Sequence, residues 1–252
     1  MQEPNKGVDN GIFRRPEGVP KGVWGTHGTI SIEDIPDDNK EEVIQFLMKY
    51  YMTEEPVSSV ITKITPFSEK DVRTYLNDGM NDGICLYAID KGRDNRLVGV
   101  TMIRVLSRAS PNLHRNVDMS LSSAKGMLVF MKACIHDVDF FTFKTGSTEK
   151  TVDYVLEPMG LSVHPEFRKK GLAGALIKAR LKLAAAVGIE GTMGIYTNSY
   201  SQRAILNYPS MKIYKEIPYS DYLVDGKAIL AKLNPPHPSV KVIGGLITKE
   251  MA

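Results

Sequence analysis

The stretch that decides the fold is 161-LSVHPEFRKKGLAGALI-177. An apolar strand end, a proline turn and three cations, Arg168, Lys169 and Lys170, lead through Gly171 to Gly174 into a helix. Leu172, Leu176, Ala179, Leu183 and Val187 form one apolar stripe on that helix, with Lys178 and Lys182 across from it, so its inner side packs on a sheet. Its first turn presents unpaired N–H groups at the positive end of the helix dipole, where anions bind readily. Gly171, Ala173 and Gly174 are small enough for a phosphate oxygen to approach the main chain. The spacing fits neither a Walker A loop nor G-x-G-x-x-G, which argues against ATP and dinucleotide sites of those types. By itself the basic turn reads equally well as a solvated surface loop.

Working outward, 154-YVLEPMGLSVHP-165 is a strand, 171–187 a helix, 192-TMGIYT-197 a strand and 200-YSQRAILNY-208 a helix, which implies a right-handed parallel crossover. Upstream, 28-GTISIEDIP-36 gives a first strand, and a helix in residues 38–52 carries Val43, Phe46, Leu47 and Tyr50 on one face. A second helix runs over 68–79, with Ser68 and Asp71 as an acidic variant of the capping box. The runs 84-ICLYAID-90 and 97-LVGVTMIRVL-106 form a hairpin across 91-KGRDNR-96. Residues 122–138 read as mostly helical, and 212-KIYKEIPY-219 and 227-KAILAKLN-234 as two late strands parted by a turn at Asp225 and Gly226. The fold class is therefore α+β (mixed α/β): one domain over residues 25–252, preceded by a Gly-, Pro- and charge-rich tail, 1–24, expected to be extended or poorly ordered.

Composition narrows the function. Lys and Arg outnumber Asp and Glu by only 32 to 29, which gives no general attraction to nucleic acid or an anionic membrane. Cys85 and Cys134 both lie in apolar runs, as reduced, buried thiols of a cytoplasmic protein do. No run approaches the roughly 20 apolar residues of a membrane span, and the N-terminus lacks a secretory h-region. The five histidines show no metal-ligand spacing, so no metal is expected. His164, ahead of a proline, is expected at the surface. No pattern identifies an oligomeric interface.

Residues 161–177 resemble motif A of the GNAT superfamily of N-acetyltransferases, in which Arg or Gln is followed by two residues, Gly, one residue, and Gly or Ala; Arg168, Gly171 and Ala173 meet it. The segments 197-TNSYSQRA-204, 214-YKEIPYSDYLVDGKAIL-230 and 50-YYMTEEPVSS-59 resemble the arthropod arylalkylamine (dopamine) N-acetyltransferase-like branch. The likeness spans about residues 25–247 and is weak between 107 and 151.

The resemblance implies a GNAT-like domain with a central mixed, mostly antiparallel sheet flanked by helices, and acetyl-CoA as co-substrate. Arg168 and the N–H groups of Lys169, Lys170, Gly171, Leu172, Ala173 and Gly174 would bind the pyrophosphate. The strand at Leu161, Ser162 and Val163 would pair with the pantetheine arm, Asn198 would contribute from the next helix, and an N–H near Val163 would serve as oxyanion donor. The acceptor would be the primary amine of an arylalkylamine of the dopamine, tyramine, octopamine or serotonin class, attacking directly in a ternary complex. Alternatives are aliphatic amines or polyamines, peptide amines, or an acyl-CoA-binding protein without activity.

An alkylamine titrates near the lysine value of about 10 and must lose a proton before it attacks. By resemblance Glu55 is the base, aimed by Pro56 holding the following loop extended, while Glu54 reads as an exposed acidic neighbour. Ser201 and Thr197 are candidates to protonate the departing thiolate, with Tyr208 as an alternative. Ser201 reads equally well as a helix N-cap or first-turn residue. The chain departs from the family at 208-YPSM-211, where Leu-Gly-Phe is usual and where Pro209 should end the helix early.

Overall fold

The computed structural model describes residues 8–9, 12–64, 66, 68–109, 122–233, 236–248 and 251. Two antiparallel two-residue strands, β1 (Val8–Asp9) and β2 (Ile12–Phe13), precede β3 (Val23–His27) and β4 (Ile30–Asp34). α1 (Lys40–Tyr50) buries Val43, Ile44, Phe46 and Leu47, the apolar face its spacing predicts. α2 (Pro56–Ile64) follows, then α3 (Glu69–Met80), whose cap Ser68 accepts the Asp71 N–H at 3.1 Å. β5 (Leu86–Asp90) and β6 (Arg96–Ser107) form the expected hairpin. Its turn places Asp94 and Asn95 at φ 51° and 54°, a left-handed region that such short polar side chains tolerate best among non-glycine residues. Beyond α4 (Ser122–Ile135) lie a small hairpin, β7 (Thr142–Thr145) and β8 (Thr148–Thr151), and then β9 (Tyr154–Val163). The chain continues through α5 (Leu172–Ala186), β10 (Gly191–Tyr196), α6 (Ser199–Leu206), β11 (Lys212–Pro218) and β12 (Ser239–Leu246).

Three expectations are corrected. The stretch after Glu55 is not extended, because Pro56 opens α2; the fixed φ of proline serves the first position of a helix as well as a loop. Residues 227–233 form no strand: Val224 and Lys227 close a turn, Ala231–Leu233 is a single 3-10 turn, and Leu230 is fully buried. Asn234, the end of that expected strand, lies outside the described residues. The last strand is instead β12, whose two glycines near its C-terminal end, Gly244 and Gly245, depress its intrinsic strand propensity. His164 is 8 % exposed, not a surface residue.

Residues 13–24 are laid against the domain. The Phe13 N–H donates to Asp82 Oδ1 at 3.2 Å, and its ring meets Tyr154 edge-on at 6.2 Å. The Asp34 carboxylate pairs with Arg15 and accepts the Trp24 indole N–H at 2.7 Å.

The main sheet has eight strands in the order β11-β12-β10-β9-β6-β5-β4-β3. Every neighbouring pair is antiparallel except β9 and β10. α5 lies on one face: a Cβ on Gly99 would stand 3.1 Å from Leu176, and one on Gly25 3.4 Å from Ala179. α1 and α3 lie on the other, where Met102 approaches Gly79. Leu76, Leu172, Leu176 and Leu183, each at most 1 % exposed, contribute on the order of 2 kcal/mol apiece to this core.

The parallel pair opens the sheet. β10 pairs with β9 only at Gly191 with Val155 and Thr192 with Leu156. Pro158 then offers no N–H, and β9 bulges at Met159, which the register with β6 skips between Pro158 and Gly160. Gly194 faces this proline so closely that a Cβ would stand 2.6 Å from its Cγ. Beyond that contact no β10 residue pairs with the rest of β9, and the edge facing β10 is left without a strand.

Candidate active site

β9 ends beside α5 with its open edge still extended. The His164 N–H donates to Val98 C=O at 2.9 Å, toward β6. A strand alternates its main-chain groups every residue, so Ser162 also faces β6 while Leu161 and Val163 face the gap toward β10. The Val163 carbonyl accepts from Arg168 Nε at 2.8 Å. The turn then reverses twice, with Lys169 at φ 60° and Gly171 at φ 86°. A lysine held there costs on the order of 1 kcal/mol, strain of a kind that clusters at ligand sites. The first α5 bond runs from the Ala175 N–H to Gly171 C=O at 3.1 Å, which places the amides of Leu172, Ala173 and Gly174 ahead of the helical ladder. A Cβ on Gly174 would meet nothing within 4 Å, so the approach to this turn is open. Such a run of amides forms an anion-binding concavity.

Glu55 occupies the N-cap of α2. Its carboxylate accepts the Ser58 N–H through Oε2 at 2.5 Å and the Val57 N–H through Oε1 at 3.3 Å, and the residue is 7 % exposed. The helix start therefore fixes the carboxylate more firmly than an extended loop would. Its charge reaches four groups. Burial pushes the Tyr51 phenol well up, with Glu55 and Tyr75 adding to it. Tyr75 is pushed up to about 12, chiefly by burial. Burial likewise raises Tyr219, and Glu55 adds to it, so these phenols remain protonated donors at neutral pH. His237 is lowered by burial against the opposing pull of Glu55, which leaves a neutral ring at neutral pH. Beneath Tyr75, Arg104 and Glu157 form a buried ion pair across β6 and β9. Glu54 pairs with Arg168 at 2.6 Å and is not merely an acid in solvent.

The start of α6 faces the same space. Asn198 caps this helix, its Oδ1 accepting the Ser201 N–H at 2.8 Å, while Ser201 Oγ donates to Asn198 C=O at 3.0 Å. Ser201 is thus a first-turn residue, and both of its roles remain compatible with its position. The Thr197 carbonyl accepts the Tyr219 hydroxyl at 2.5 Å. His237 Nδ1 accepts the Ser199 N–H at 3.2 Å, which leaves the ring proton on Nε2. Tyr208 belongs to a separate cluster with Arg180, whose Nη2 donates to Tyr196 Oη at 3.0 Å. No hydrogen bond among the described residues joins the Tyr208 hydroxyl to Ser201 or Thr197.

Two members of the site escape the sequence reading. Tyr219 lies inside the family-like segment 214–230, yet only its contact with Thr197 gives it a place here. His237 stands between prolines after a mistaken strand, and a lone histidine carries no spacing signal. Among the described residues no cluster of His, Cys, Asp and Glu could hold a metal ion, and no helix is long and apolar enough to cross a membrane.

No family model matches the chain, and no curated protein matches its sequence. Solved structures do. The chain is similar to a protein described as insect arylalkylamine N-acetyltransferase 7 from the yellow fever mosquito Aedes aegypti, with 21 % identity, a TM-score of 0.74, and coverage of 94 % of this chain and 100 % of that one. Arylalkylamine N-acetyltransferase 2 from the same mosquito gives 24 % identity and a TM-score of 0.71 over 87 % of this chain and 99 % of that one. A Drosophila melanogaster polyamine N-acetyltransferase that forms N-acetylagmatine gives 19 % identity and 0.59, over 85 % and 98 %. At these identities the likeness shows the fold. It is the mixed, mostly antiparallel GNAT fold that the sequence led us to expect.

Proposed function

We propose that the protein is an acetyl-CoA-dependent N-acetyltransferase acting on primary arylalkylamines of the dopamine, tyramine, octopamine and serotonin class. The observation that carries this reading is the Glu54–Arg168 contact, which sets the capped carboxylate of Glu55 beside the turn with free amides. A base and an anion cradle in one place are what amine acylation from a phosphate-bearing carrier requires.

The residues fit the carrier. The free amides from Lys169 to Gly174, with Arg168, hold its pyrophosphate, and the main chain of Leu161 and Val163 pairs with its amide-bearing arm along the open β9 edge. Acetyl-CoA supplies the acetyl thioester. The Val163 N–H donates to the carbonyl oxygen, which develops negative charge as the bond forms. Glu55 takes a proton from the bound ammonium, directly or through water; at neutral pH only about one amine in a thousand is otherwise free to attack. Ser201 or Thr197 returns a proton to the departing sulfur. His237 and Tyr219 orient this end of the site through Ser199 and Thr197. Tyr51 and Tyr75, within reach of the Glu55 charge, supply aromatic walls for an aryl acceptor.

The test is acetyl-CoA with a matrix of aryl, aliphatic and peptide amines, read by thiol release. Turnover highest with arylalkylamines is expected. Faster turnover of agmatine-like or peptide amines overturns the acceptor assignment, and tight CoA binding without any product overturns the enzymatic reading.

A further inference from the structure

We infer that His27 is a positioning residue for the carrier turn, holding the Lys170–Gly171 peptide so that its N–H is turned out to the pyrophosphate. The inference rests on the coenzyme A reading above. His27 is the last residue of β3, the outermost strand on the α5 side of the sheet, and belongs to none of the segments that carry the family likeness in motif. Its Nε2 stands 2.7 Å from Lys170 C=O. A carbonyl only accepts, so Nε2 carries the proton and donates. The ring also lies under the turn, with Cε1 3.3 Å from where a Gly171 Cβ would be.

The geometry of a trans peptide gives this bond its consequence. The C=O of Lys170 and the N–H of Gly171 belong to one planar unit and point in opposite directions. Drawing the carbonyl toward β3 therefore aims the N–H away from β3. That N–H, like those of Lys169 and Lys170, has no acceptor among the described residues. Something has to fix this choice. Gly171 sits at φ 86° and, lacking a Cβ, can follow a flip of the peptide at little steric cost. A flip would present a carbonyl dipole to the phosphate in place of a donor. Arg168 Nε on Val163 C=O pins one end of the turn, and His27 pins the other.

Two replacements separate donation from packing. His27→Phe keeps a ring under Gly171 but cannot donate, while His27→Gln keeps a donor. Calorimetric binding of coenzyme A is compared with that of pantetheine, which lacks the pyrophosphate, at a temperature below the melting of all variants. We expect His27→Phe to weaken coenzyme A by about tenfold, as the loss of one amide N–H bond to a charged phosphate does. Pantetheine affinity should stay unchanged, and His27→Gln should recover most of the loss. In turnover, the KM for acetyl-CoA should rise while kcat and the KM for amine hold. Equal weakening of both ligands, or a coenzyme A affinity within twofold of the parent, overturns the inference. A parent protein that binds coenzyme A no more tightly than pantetheine overturns the carrier assignment itself, and that result is visible before any variant is made.

Discussion

Glu54 and Arg168 form an ion pair at 2.6 Å that joins the residue before the α2 cap to the turn before α5. The same guanidinium donates through Nε to Val163 C=O, so one side chain ties together the end of β9, the turn before α5 and the residue next to Glu55. Both side chains are around two-fifths exposed, at 44 % and 38 %, and solvent screens them.

The pair should therefore matter for binding more than for stability. Arg168→Ala and Glu54→Ala should each cost under about 1 kcal/mol in denaturant unfolding, with a coupling of roughly 0.2–1 kcal/mol in a double-mutant cycle. Arg168→Ala should weaken coenzyme A and flatten the salt dependence of its affinity. An unchanged salt slope would remove Arg168 from the phosphate site.

Glu55→Gln should lower kcat/KM about 100-fold or more at neutral pH, the usual share of a general base. The deficit should narrow as pH rises and the amine loses its proton unaided. Gln can still accept an α2 amide, so stability should fall by about 1 kcal/mol or less. A loss that is the same at pH 7 and pH 10 would assign Glu55 to structure.

Protonation of His237 should destabilise the fold. Burial holds its pKa below the ordinary 6.5, and burial together with Arg96 does the same for His164. The unfolded chain then binds protons more readily than the native one, so stability is full above about pH 6.5 and falls as pH drops through and below it. Urea midpoints of parent and His237→Asn between pH 7.5 and 5.5 test this: the variant should lose less. Parallel curves would show that His237 titrates alike in both states.

Gly194→Ala should strain the point where β9 and β10 part. Its Cβ would stand 2.6 and 2.7 Å from two atoms of the rigid Pro158 ring, so the strands must shift. A loss of about 1–3 kcal/mol is expected in thermal or urea unfolding. Gly174→Ala, with open space around its Cβ, is the control and should leave folding nearly unchanged.

Legibility followed the range of the interactions. The β5–β6 hairpin, α1, α3 and the 161–177 unit could be read because alternation, capping and turn chemistry act within a few residues. β12 could not. Gly244 and Gly245 argue against a strand, and they are there because a Cβ would stand 2.5 Å from Met193 Sδ at the first and 2.2 Å from Ser210 C=O at the second. The run 227–233 misled for the opposite reason: it is apolar because Leu230 is sunk in the core, with no ladder to join. Pro56 was ambiguous, since one φ suits both a loop and a helix start.

By itself the sequence determined the small-residue turn at 168–174 and the strand and helix on either side of it, because small residues and free helix amides produce that shape locally. Only the tertiary structure decided that Glu55 would cap α2 beside this turn, with Tyr219 and His237 closing the far side and His27 reaching in from the sheet edge. Those residues are distant in the chain, and packing of the split sheet, not any local preference, brings them together.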